Sequence, residues 1–479
     1  MASLDKTSVR NEVSRLKADF EQLCRDGKVT RETQVLMNSM LMMMELILTI
    51  FLERLTKKES GNSSLPSSQT EKDDTALTHP GSQGKGKLEN DAQVGNTRIK
   101  ERVTLSQLHF CEVCGEDLSK VACLHVERRT KIDILFEKVI EHVDAEVKQC
   151  PVCETTTKGA FPANMPGPLQ YGDGLKAFVI NLLICQMVAM KRVQTLVKAM
   201  IGVVIAESTL LQFVMRLHHA LARWEKQAIE MSLKAPSLHV DETSLRVDKK
   251  NYWVHVYSAG DITLKFLHRK RGTEAIQSIG IIPRYLGAII HDCWTSYLAY
   301  DHCDHGLCGS HLLRELTFII DAHNYAWARQ MKSLLREACI EVSKSAEKRL
   351  SDEALTRLQK RYRATLTRGA KELPPIPPKP SGKRGKIAKS DAHNLLERLQ
   401  KHEASVLLFA KNPHVAFTNN RAERDLRMAK VKQKVSGCFR AEEYAHAYCR
   451  ISSYLQTMAN KGHNPLIAIQ MALADELDL

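Results

Sequence analysis

The runs between residues 237 and 290 constrain this chain more than any other feature. LHV, TSLRV, YWVHVYSA and ITLKFLH are rich in β-branched and aromatic residues, with turn residues at 248–251 and at Ala259-Gly260-Asp261 between them. Such runs pair as a meander of antiparallel strands. A helix-like stretch follows around 273–279, and then the apolar run Leu286-Gly287-Ala288-Ile289-Ile290, short enough for a buried strand, ends at His291-Asp292. Strands of both kinds flanked by helical periodicity give an α/β fold class.

The length, 479 residues, accommodates about three domains at roughly 150 residues each. Lys and Arg number 69 against 55 Asp and Glu, and the net charge of +14 favours polyanionic partners such as nucleic acid. The 13 cysteines are an odd number, several stand in C-x-x-C pairs, and the first residues carry no signal-peptide pattern. That usage predicts a cytoplasmic protein whose thiols hold metal rather than form disulfides.

Residues 1–55 read as helical, with Val13, Leu16, Phe20 and Leu23 at 3–4 spacing before the run VLMNSMLMMMELILTIFL at 35–52. The run contains Asn38 and Glu45 and is rich in Met, so a coiled-coil-like oligomerisation segment is expected rather than a membrane span. Residues 56–102 turn to Ser, Gly, Lys, Asp and Asn and read as a flexible linker.

Residues 103–160 form the expected zinc-binding module. Cys111-x-x-Cys114 and Cys150-x-x-Cys153 supply four thiolates in two tight knuckles, a set that satisfies structural tetrahedral zinc; Cys123 and His125 lie between and can stand in for one ligand. Residues 161–236 read as helices. A helix at 196–200, Gly202, an N-cap at Glu207-Ser208-Thr209 and a second helix through Leu210, Val214 and Leu217 resemble a helix-turn-helix, with Gln212 and Arg216 as the DNA-contacting side chains.

Three carboxylates carry the chemistry. Asp241 follows LHV and Asp292 ends GAIIHD, so two neighbouring strands bring both to one sheet edge, where like charges call for a divalent cation. Glu242 is the adjacent alternative to Asp241, but successive strand residues face opposite ways. Glu423, Arg427, Lys430 and Lys434 recur at helical spacing and place one acid and three cations along a face. A phosphate-handling helix would give Glu423 to a metal and use the cations, with Arg424, on the DNA backbone. Cys308-x-x-His311 follows the second Asp. For these two, as for the His and Cys residues at 302–305, buried packing with hydrogen bonds near the site is the expected role.

The strings HVDETSLRV, IIHDCWTSY, HGLCGSHLLREL and TNNRAERDLRMAKVKQKVSGCFR, in this order, resemble the insertion sequence 66 family of bacterial transposases over about residues 103–475. The resemblance implies a ribonuclease-H-like catalytic core in two parts, 237–320 and 413–479. A helical insertion at 321–412 with a Pro-rich basic loop interrupts it. It implies an Asp-Asp-Glu triad at Asp241, Asp292 and Glu423, holding two magnesium ions for which manganese substitutes. It implies cleavage and strand transfer at terminal inverted repeats and target DNA. A homo-oligomer, accessory proteins of the same element, no membrane and a nucleoid-associated location complete the expectation.

Overall fold

A computed structural model describes residues 6–56, 103–132, 137–376 and 389–475. Apart from Thr56, the expected linker lies outside the described residues, as does 377–388 of the Pro-rich basic stretch. In chain order the elements begin with α1 (Lys6–Arg25), α2 (Arg31–Leu55), β1 (Val147–Gln149) and β2 (Thr156–Lys158). Next come α3 (Asp173–Ile184), α4 (Met190–Ile201), α5 (Glu207–Ala220) and α6 (Ala222–Leu233). The strands β3 (Ser237–Val247), β4 (Lys250–Ala259) and β5 (Ile262–His268) precede α7 (Thr273–Ile279), β6 (Ala288–His291) and β7 (Asp304–Leu307). Helices α8 (Gly309–His323), α9 (Ala326–Lys344), α10 (Asp352–Glu372) and α11 (Asp391–Lys401) lead to the short turns α12 (Glu403–Val406) and α13 (Leu408–Lys411). The chain closes with α14 (Asn420–Ser436), α15 (Glu442–Asn460) and α16 (Pro465–Leu473).

The chain divides into two compact units, one of residues 1–86 and 225–449, the other of 87–224 and 450–479. In the first, a mixed sheet runs in the order β5-β4-β3-β6-β7. β3, β4 and β5 are antiparallel neighbours, and β6 and β7 run parallel to β3. LHV and TSLRV, expected as separate strands, are one strand, because the polar residues between them stay on the ladder: Asp241, Glu242 and Thr243 pair with Val256, His255 and Val254. Asp248 and Lys249, both at positive φ, turn the chain directly into β4.

α14 packs across β3 and β4. Its buried Asp425 accepts hydrogen bonds from the hydroxyls of Ser258 at 2.7 Å and Thr263 at 2.9 Å. The insertion α9–α11 shares an apolar core with α8, centred on the fully buried Trp327, Leu335, Tyr362 and Leu399. Gly309 lets α8 start against α14's entry: its N–H donates to Phe417 O at 2.7 Å, and a Cβ there would clash with the Phe417 ring.

The N-terminal segment is a helical hairpin of α1 and α2. Leu41, Leu46 and Leu52 are buried, and α2 contacts α8. Glu53 is buried where it accepts the Asp391 and Ala392 N–H groups, at 2.6 and 3.0 Å, and meets His323 Nε2 at 3.2 Å. A carboxylate so placed caps the positive end of α11. By length and composition α2 is long and apolar enough to cross a membrane.

In the second unit α3, α4, α5 and α16 pack together. Gly202, at φ +69°, ends α4, and α5 begins at Glu207 behind Ala206, so the expected cap residues lie inside the helix. Residues from Arg450 on belong here rather than to the core, as expected for 413–479. The Tyr454 hydroxyl donates to Ala468 O at 2.8 Å, and the Trp224 and Tyr454 rings meet edge to face.

Candidate active site

Register assembles the first part of the site. His239 stands opposite Ile290, and Ile290 opposite Gly306. Continuing both parallel ladders by two residues brings Asp241, midway along β3, level with Asp292 and Cys308, the residues that directly follow β6 and β7. The Cys308 N–H still donates to His291 O at 2.9 Å. The carboxyl ends of parallel strands such as β6 and β7 are where α/β sheets take up ligands.

Asn419 brings the helix to that row. Its backbone N–H donates to Cys308 Sγ at 3.1 Å, its side-chain amide donates to Val240 O at 2.8 Å, and its Oδ1 meets His239 Nδ1 at 3.0 Å. Glu423, one helical turn later, lies over the row. There its Oε1 is 3.5 Å from His311 Nδ1 and 3.8 Å from Arg314 Nη2, yet it is buried with no hydrogen-bond donor among the described residues.

Strand alternation separates the two adjacent acids. His239, two residues before Asp241, is on the α14 side. Glu242 instead accepts from the Tyr297 hydroxyl at 2.5 Å and from Arg271 Nε at 2.7 Å. Arg271 in turn lies over the Trp294 and Trp253 rings, 4.4 and 5.0 Å from their centroids.

The electrostatics follow from these positions. Desolvation, and then the charges of Glu242, Asp292 and Glu423, hold the Asp241 carboxyl well above the usual range. Burial and Asp292 push Glu242 up to about 7 although Tyr297 and Arg271 oppose them. His311 is held below its ordinary value by burial and Arg314, so its imidazole is neutral. The charges of Asp292 and Glu423 both act on Asp241, so the three acids share one neighbourhood, and carboxylate oxygens are the donors that hard divalent cations take.

Residues 168–447 match the family described as Transposase IS66 family. The chain belongs to the IS66 transposase family. Transposases of this kind cleave DNA and use divalent metal, and the matched span takes in all three candidate acids and α3–α14. Among curated proteins none matches the chain.

Within this family member the basic face of α14 divides. Arg424, Arg427 and Lys434 are exposed, whereas the half-buried Lys430 turns its Nζ inward and donates to Ser244 O and Oγ, both at 2.8 Å. Gln212 and Arg216 are exposed one turn apart on α5. Each cysteine pair forms a knuckle: Gly115 N–H donates to Cys111 O and Glu154 N–H to Cys150 O, both at 2.9 Å. The two pairs do not join in a common ligand cluster among the described residues. His302, Cys303 and His305 make the expected packing bonds, to Ile282 O, Tyr285 O and Tyr300 O. Asn419 stands among the residues around Glu423 that match the family string, but its contacts to Val240, Cys308 and His239, like those of the buried Asp425 to Ser258 and Thr263, carry no signal in the sequence.

Proposed function

We propose that this chain is the transposase of a bacterial insertion sequence. It binds the terminal inverted repeats of its element and catalyses strand cleavage and transfer, with Asp241, Asp292 and Glu423 as catalytic residues. The observation that carries the reading is the row of Asp241 and Asp292 on adjacent parallel strands with Glu423 folded over it. The sheet, three antiparallel strands followed by two parallel to the first, supports a ribonuclease-H-like core.

The three carboxylates would hold two magnesium ions, or manganese, which lower the pKa of the attacking hydroxyl and neutralise charge on the leaving oxygen. Asn419 keeps α14 seated on β3, so the Glu423 carboxylate stays over the strand ends. Glu242 stays outside the set, tied to Tyr297 and Arg271. Water or a DNA 3′-hydroxyl is the nucleophile, and no side chain is asked to attack.

Exposed Arg424, Arg427 and Lys434 on α14 suit phosphate contacts, and Gln212 and Arg216 on α5 suit end recognition of double-stranded DNA, terminal repeat and target alike. The knuckles suit structural zinc. Hydrogen bonds from Thr155 and then the neighbouring Cys150 lower the Cys153 thiol to about 7, and backbone N–H groups lower Cys111, which favours the thiolates that zinc takes. Cys114 and Cys150 complete the set. The exposed apolar stripe of α2, Leu36, Met40, Met43, Ile47 and Phe51, supports a homo-oligomer, to which accessory proteins of the element can add. Its place of action is the nucleoid in the cytoplasm.

The test starts from the inverted repeats flanking the coding region. The full chain is expected to nick DNA carrying them in magnesium and not in EDTA. Equal cutting in both, or none with either metal under conditions where the repeats are bound, contradicts the reading.

A further inference from the structure

A second ligand set overlaps the first. Cys308 Sγ, His311 Nδ1 and a Glu423 carboxylate oxygen all lie within 4.8 Å of one another, the one convergence of three such ligands among the described residues. We propose that these three side chains bind a borderline-soft ion of the zinc class, which competes with magnesium for Glu423. The inference rests on the reading of Glu423 as the third catalytic acid.

The geometry is close to that of a bound ion. Bonds of about 2.3 Å to sulfur and about 2.0–2.2 Å to nitrogen and oxygen put tetrahedral ligand atoms roughly 3.3–3.6 Å apart. His311 Nδ1 and Glu423 Oε1 are already 3.5 Å apart. Both atoms are buried with no hydrogen-bond partner, a state that native proteins rarely leave uncompensated. Cys308 caps α8 and His311 stands in its first turn, so one helix end fixes two of the ligands. The Asn419 N–H aimed at Cys308 Sγ is the outer support that a metal thiolate normally receives.

The donor types select the ion. Magnesium takes oxygen ligands almost exclusively, whereas a thiolate with an imidazole selects zinc and its neighbours in the first transition row. On binding, the Cys308 S–H proton passes to solvent and the neutral His311 gives its Nδ1 lone pair. Arg314, which faces the same Glu423 oxygen from 3.8 Å, is the cation that the ion displaces. Three protein ligands leave a fourth position for water or a phosphate oxygen. While the ion is held, Glu423 is drawn from Asp241 and Asp292, so zinc acts as an inhibitor of the magnesium centre.

Cobalt(II) is the probe, titrated into the metal-free full chain while thiolate-to-cobalt absorption and bound equivalents are followed. The knuckle cysteines contribute to the same band, so the readout is the difference from Cys308→Ser, with His311→Asn as the second variant should the first fail to fold. Each is expected to lose one equivalent, with affinity at that site lowered about 100-fold or more. Manganese paramagnetic resonance then reads the acid site: zinc, added after the knuckles are filled, is expected to weaken manganese binding at least about tenfold in the parent and not in the variant. Unchanged cobalt stoichiometry in both variants, or manganese binding indifferent to zinc, overturns the proposal. These readouts involve no DNA, so a chain that binds cobalt as described but never cleaves contradicts the transposase reading alone.

Discussion

Asn419 is the side chain on which the site most depends after the acids themselves. It is 1% exposed, and its three hydrogen bonds reach β3, the strand-end Cys308 and His239. Asn419→Ala removes the two made by the side chain and leaves Val240 O without its donor. The expected cost is about 1–3 kcal/mol of stability in chemical denaturation, with cleavage falling more than DNA binding. Loss of DNA binding in step with cleavage would contradict a positioning role. His255 sets an acid limit. Burial above all holds it below its ordinary 6.5, at about 4, so the folded chain keeps it neutral. Its contribution is therefore complete above about pH 6.5 and is lost as pH falls toward 4, by up to about 3 kcal/mol. Thermal unfolding between pH 4 and 7 should show this loss in the parent and a flatter profile in His255→Gln. At this scale the placement of the three candidate acids on or after two strands and on a helix could be read from the sequence, because each ends or follows an apolar run or starts a basic helix face. The contacts of Asn419 and Asp425 and the inward turn of Lys430 could not, because their partners lie some 160 to 190 residues away in the chain.

At the scale of elements, the meander, α7 and β6 follow the sequence pattern closely, since period-2 alternation and turn residues are local signals. β7 escapes such a reading: Asp304, His305, Gly306 and Leu307 carry no strand pattern and are extended only because β6 supplies the ladder. The same limit applies to α2. Its Leu and Met run shows that an apolar helix must be covered, but one face is covered by the chain itself, through Leu46, Leu52 and the buried Glu53, while the Leu36, Met40, Met43, Ile47 and Phe51 stripe is exposed. If that stripe joins two copies, replacing Met40 and Ile47 with Glu shifts the full chain to a smaller species in analytical ultracentrifugation with little change in thermal midpoint. An unchanged sedimentation coefficient would remove α2 from the oligomer interface.

For the molecule as a whole, the order of the chain misleads about its units. Residues 450–479 follow α14 in sequence yet belong with the helices before the sheet, because α16 packs on α3 and α5 and the Tyr454 ring meets Trp224. The acids, by contrast, all fall within one unit although 182 residues separate Asp241 from Glu423. That unit lies inside the span matching the IS66 transposase family except for its N-terminal hairpin and last residues. The claim that three particular carboxylates form one metal-dependent cleavage site is tested most directly by single-turnover cleavage of repeat-end DNA in magnesium. Asp241→Asn, Asp292→Asn and Glu423→Gln should each fall to background while still binding the DNA, whereas Glu242→Gln, from the opposite face of the same strand, should still cut. Cleavage surviving in any of the first three, or abolished in Glu242→Gln while Asp241→Asn remains active, would contradict the account.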